Sequence, residues 1–84
     1  MLTLHYFASL RETLGVEQET LTLPTPGMSV AELIDHLVSL HGASREALLD
    51  TTRVLVAVDQ TIVERDHALQ GGEEVAFFPP MTGG

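Results

Sequence analysis

One long amphipathic stripe limits what this chain can fold into. Val30, Leu33, Ile34, Leu37 and Val38 recur at the spacing of a single helix face. Ser29 and Glu32 form a capping box ahead of it, Met28 and Leu33 are placed for a hydrophobic staple, and Gly42 stops it. Most of the rest reads as strand. Leu2, Leu4 and Tyr6 alternate with Thr3, His5 and Phe7. Leu21 and Leu23 share a side in a second strand, and Val54, Val56 and Val58 in a third. Thr61 to Val63 is a short strand, and Glu74 to Phe78 is the last before Pro79.

The connections carry their own signals. Ser9-Leu10-Arg11-Glu12 reads as a capping box for a short helix that ends at Gly15. Pro26-Gly27 suits a type II turn, Asp59-Gln60 a tight hairpin and Gly71-Gly72 another turn. Ser44 is placed to cap a short helix through Leu49. One helix covers one face of a small sheet, so the expected class is α+β, with four or five strands in a mixed sheet packed on one main helix. The stretch from the second strand through the helix to the third has room for a right-handed crossover. A β-grasp roll and a ferredoxin-like arrangement both satisfy this pattern.

Charge and composition narrow the function. Twelve Asp and Glu stand against four cations, a net charge of −8 that opposes binding to nucleic acid or an anionic membrane. No apolar run approaches the roughly 18 residues of a membrane span. MLTLHYF has neither a basic leader nor a cleavage site, so the expected compartment is the cytoplasm. Cysteine is absent, which removes disulfides and thiolate chemistry, and lysine is absent too: the cations are Arg11, Arg45, Arg53 and Arg65.

The side chains offer no catalytic constellation. His5, His36, His41 and His67 are scattered without metal-ligand spacing, so no metal site is expected. Ser9, Ser29 and Ser44 read as caps, and Glu73-Glu74 as strand neighbours pointing to opposite faces. What remains is the end of the chain, PPMTGG. Residues 1–78 read as one domain and 79–84 as a tail. Pro79 and Pro80 hold the tail extended and out of the sheet. Met81, Thr82, Gly83 and Gly84 complete it, and the glycines let the backbone enter a narrow channel. The six residues span at most about 20 Å.

The stretch GGEEVAFFPPMTGG resembles the closing motif of the small, sulfur-carrying subunit of molybdopterin synthase, G-[DE]-E-V-A-F-F-P-P-x-T-G-G. YFASLRETLG and VAVDQTIVERDHALQGGEEV resemble earlier parts of that family, so the likeness covers essentially the whole chain. It implies a ubiquitin-like β-grasp. It further implies that an E1-like adenylyltransferase activates the Gly84 carboxylate with ATP, and that a sulfurtransferase converts it to a thiocarboxylate. The tail then enters the large subunit of a heterotetramer and gives its sulfur to cyclic pyranopterin monophosphate. Related carriers for thiazole or tRNA thiolation, or a protein modifier, are the alternative. Phe7 and Phe78 alternate away from the core pattern and are candidates for partner binding, with Arg11 at their edge.

Overall fold

Two strands from opposite ends of the sequence lie side by side at the centre of the sheet. The computed structural model describes residues 1–80. β1 (Leu2–Tyr6) and β5 (Glu74–Phe78) run parallel, with His5 opposite Ala76 and Tyr6 opposite Phe77. β2 (Gln18–Leu21) lies antiparallel to β1, while β3 (Leu55–Val58) and β4 (Thr61–Val63) continue beyond β5. The order is β2-β1-β5-β3-β4. The sheet is mixed and five-stranded, and α2 (Val30–His41) packs across one face in the β-grasp manner.

The alternation explains that packing. Leu2, Leu4, Tyr6, Val56, Val58, Val75 and Phe77 point to the face covered by Val30, Leu33, Ile34 and Leu37 of α2, and all are buried. Tyr6 and Phe77 stack with centroids 5.5 Å apart. Burying each such ring contributes about 2–3 kcal/mol. Both hydrogen bonds of the α2 capping box form: Ser29 N–H donates to Glu32 Oε1 (3.0 Å), and Glu32 N–H to Ser29 Oγ (3.1 Å). Met28 N–H donates to the Thr25 carbonyl across Pro26-Gly27, with Gly27 at φ 88°, as a type II turn requires. Asp59 and Gln60 both take positive φ, 49° and 71°, the handedness that a two-residue hairpin demands even without glycine.

Three local expectations change. Ser9 does not cap α1 (Ser9–Leu14); it is the first helical residue. The cap position is Ala8, at φ 53°, and it makes no side-chain hydrogen bond. Phe7 N–H is still bonded to the Phe77 carbonyl (3.0 Å), so the chain must turn within one residue. The amides of Leu10 and Arg11 then donate to the Phe7 and Ala8 carbonyls.

Ser44 does not cap a separate helix either. Gly42–Leu49 winds as a 3₁₀ segment directly after α2, which leaves no fresh helix start, and the Ser44 hydroxyl donates back to the His41 carbonyl (3.1 Å). Glu73 lies before β5 rather than on a strand beside Glu74. Its carboxylate accepts from Gln70 N–H (2.8 Å) and Gly71 N–H (2.6 Å) and so holds the Gly71-Gly72 turn.

Candidate functional site

The face of the sheet opposite α2 is where the chain's exposed aromatic surface collects. Strand pairing puts His5 beside Ala76 on β5, Ala76 beside Ala57 on β3, and Ala57 beside Ile62 on β4. Leu55 pairs with Phe78 in the same register. Phe7 follows His5 by two residues, and its N–H bond to Phe77 brings it level with Phe78. Phe7 is 48% exposed and Ile62 64% exposed, while Leu55 and Phe78 are half-buried. An apolar surface of this kind, uncovered on a small domain, is what a partner-binding face requires.

The strand registers place Phe7 and Phe78 at neighbouring positions on this face, with Leu55 and Ile62 on the same side. Alternation in the short strand Thr61-Ile62-Val63 carried the signal for Ile62. His5 joins them from the same face: its ring stacks on Phe7, with centroids 6.1 Å apart and planes 15° apart. His5 Nε2 is buried there without a hydrogen-bond partner. Arg11 lies on α1, which packs against β1 and β5, and its guanidinium makes a loose ion pair with Glu17 (3.8 Å).

The tail leaves from one end of this face. Because β1 and β5 are parallel, Phe78 and the half-buried Pro79 and Pro80 emerge at the rim where Phe7 and α1 lie. A cleft of about 300 Å³ opens between α1 and the stretch leading into β3, with Ser9, Thr13, Asp50 and Arg53 among its walls. The expectations for Met81, Thr82, Gly83 and Gly84 fall outside the described residues. Among the described residues no group of three or more His, Asp or Glu is placed to hold a metal ion.

On the core side of the sheet, one polar cluster escaped the sequence reading. Tyr6 OH donates to Glu19 Oε1 (2.6 Å), and Arg45 Nε and Nη2 donate to the same carboxylate at 3.0–3.3 Å. The Arg45 guanidinium also lies over the Tyr6 ring, 5.5 Å from its centroid. Burial pushes the Glu19 carboxyl up, but the hydrogen bonds from Arg45 and Tyr6 and the Arg45 charge outweigh it and hold it below the usual carboxylate range. Burial, and then the bond to Glu19, push the Tyr6 phenol well above its ordinary value. The phenol stays protonated and donates. This cluster braces the fold and has no opening for a substrate: Arg45 is 5% exposed.

The profile of the ThiS family matches residues 4–84. The chain is 40% identical to the molybdopterin synthase sulfur carrier subunit of Escherichia coli K12, over 100% of both chains. It is 42% identical to the protein of the same name in Mycosarcoma maydis, over 94% of this chain and 88% of that one. Among solved structures it is similar to a putative molybdopterin converting factor, subunit 1, from Pyrococcus furiosus, with TM-score 0.75 and 28% identity over 95% and 97% of the two chains. The chain belongs to the ThiS family.

Proposed function

We propose that this protein is the sulfur carrier subunit of a molybdopterin synthase and that its working group is the carboxyl of Gly84. The observation that carries this reading is the end-to-end match to curated carriers of that name, at 40% identity with the Escherichia coli protein. The geometry supports it: a domain without a catalytic cluster among its described residues sends its last strand out beside an uncovered apolar face.

A carboxylate is a poor electrophile, so it must be activated before sulfur can replace one of its oxygens. In the proposed cycle an adenylyltransferase spends ATP to form a Gly84 acyl-adenylate. A sulfurtransferase then supplies sulfur, and AMP leaves. The thiocarboxylate enters the large subunit, its sulfur passes to cyclic pyranopterin monophosphate, and the carboxylate returns. The chain's own part is to dock through Phe7, Leu55, Ile62 and Phe78, and to deliver the tail from Pro79 onward. Arg11 adds a charged contact at the edge. The setting is the cytoplasm, and the assembly is a heterotetramer with a central dimer of large subunits.

Intact mass tests this. Protein purified from its own cell carries a fraction heavier by about 16 Da, one oxygen replaced by sulfur. A variant with one bulky residue added after Gly84 keeps its fold and carries none. Normal thiocarboxylate in the extended variant would overturn the reading.

A further inference from the structure

Ala8 holds a backbone conformation that suits glycine. It lies at φ 53° and ψ −130°, and Leu10 N–H donates to the Phe7 carbonyl across it (3.1 Å). These are the features of the first central position of a II′ turn, where glycine is the usual occupant because it has no Cβ to clash. An L-residue with a side chain is strained there. Strain of this kind persists where something else compensates it, and it collects at functional sites.

Inside the chain the methyl of Ala8 has no evident use. Ala8 is exposed, it stands outside the buried cluster, and its side chain makes no cap hydrogen bond. The turn does not need the methyl either. Phe7 N–H is held by the Phe77 carbonyl on one side, and Leu10 and Leu14 anchor α1 in the core on the other. Glycine would make the same one-residue turn without the strain. Its position gives the methyl another use, because Ala8 stands where two open surfaces meet. Phe7, just before it, belongs to the uncovered apolar face. Ser9, just after it, is a wall of the cleft of about 300 Å³ between α1 and the stretch leading into β3. A partner that covers Phe7 and extends toward that cleft passes over Ala8.

We propose that the Ala8 methyl is a docking contact: it packs against the large subunit at the rim of the apolar face, and that contact compensates the strain carried by the free chain. The inference rests on the sulfur-carrier reading, in which this face docks on a large subunit. It extends the interface beyond Phe7, Leu55, Ile62 and Phe78 to the start of α1. It also separates two quantities that a packing residue would join. Removing the methyl stabilises the free domain and weakens the complex.

The test uses the full chain, Ala8→Gly and Ala8→Asn, each alone and titrated with the purified large subunit. Ala8→Gly raises the thermal midpoint of the free chain by a few degrees. Its Leu10 amide, which closes the turn, exchanges with solvent no faster than in wild type, because glycine accepts the turn unstrained. Calorimetry with the large subunit gives an affinity about fourfold weaker, the effect of one methyl's burial. Asn is also accepted in such turns, so Ala8→Asn stays folded by circular dichroism. It binds about tenfold more weakly, since its amide would be buried unpaired in the complex. Either variant binding as tightly as wild type overturns the proposal, as does a lower midpoint for Ala8→Gly. Faster Leu10 exchange in Ala8→Gly overturns it too, because the loss of affinity would then come from a loosened turn. A wild-type chain that does not bind the large subunit overturns the sulfur-carrier reading and this contact together, whereas unchanged affinity in the variants removes the contact alone.

Discussion

Arg45 and Glu19 meet through two nitrogens and both carboxylate oxygens: Arg45 Nη2 lies 3.0 Å from Oε2, and Nε lies 3.3 Å from Oε1. The pair ties the 3₁₀ segment to the edge strand β2, with the Tyr6 hydroxyl as the third member. Removing one partner of a buried pair leaves the other charge uncompensated, which typically costs about 3–5 kcal/mol. Arg45→Ala should therefore lower stability by about 3 kcal/mol in urea titrations. A loss below about 1 kcal/mol, the range of a surface pair, would show that the cluster is not a brace.

The same cluster sets an acid limit. The folded Glu19 carboxyl lies below its ordinary value, so its contribution is complete above the unfolded carboxylate value, near pH 4.3. That contribution is lost as pH falls through the lower folded value. Glu32, Asp50 and Glu73 are also lowered and act in the same direction. Glu19→Gln should be less stable than wild type at pH 7 and should lose less on going to pH 3. Urea midpoints at both values decide it; an equal or steeper loss in the variant contradicts the assignment.

Adjacent phenylalanines on β5 should separate folding from docking. Phe77 is fully buried against Tyr6, whereas Phe78 faces outward beside Phe7. Phe77→Ala should cost about 3–5 kcal/mol of stability. Phe7→Ala should leave the melting temperature near wild type and weaken binding to the large subunit by about 2 kcal/mol, the scale of an interface anchor. Calorimetry of the isolated variant and of its complex measures both; unchanged affinity removes Phe7 from the proposed interface.

Ile62 makes the wider interface testable. It is the most exposed residue of the apolar face, on the edge strand β4. Ile62→Asp should preserve the thermal midpoint and weaken docking, since a charge would be buried unpaired in the complex. Docking at wild-type strength would confine the interface to the β1 and β5 side.

The hairpin at Asp59-Gln60 stores strain. Gln60 holds φ 71°, a conformation that costs a side-chain-bearing residue roughly 1 kcal/mol and glycine almost nothing. Gln60→Gly should raise the thermal midpoint by a few degrees. A fall would mean that the Gln60 side chain contributes contacts that outweigh the strain.

The sequence made some of this legible and hid the rest for physical reasons. The β5 boundaries, the α2 cap and the positive-φ turns at Gly27, Asp59-Gln60 and Gly71-Gly72 follow from local rules: period-two alternation, side-chain capping and turn handedness. Ser9 and Ser44 resembled caps because a capping motif describes only four residues. Whether a helix start is available there depends on the preceding strand or helix, which the motif does not contain. Arg45 was invisible for a related reason. Its partner lies 26 positions away, and only the folded crossover brings them together. Leu55 joined the apolar face through a register with Phe78 that no single strand reveals.

The central place of β5 has a consequence for how the protein is made. The last strand of the described fold is also the one that joins β1 to β3. A ribosome releases it after every other strand, so a nascent chain has the two halves of a sheet and nothing between them. Contacts of such long sequence separation close late. The same event that completes the sheet also brings Phe78 and the two prolines beside Phe7 on the apolar face. Synthesis cut short before β5 leaves a chain with neither the joined sheet nor that apolar rim.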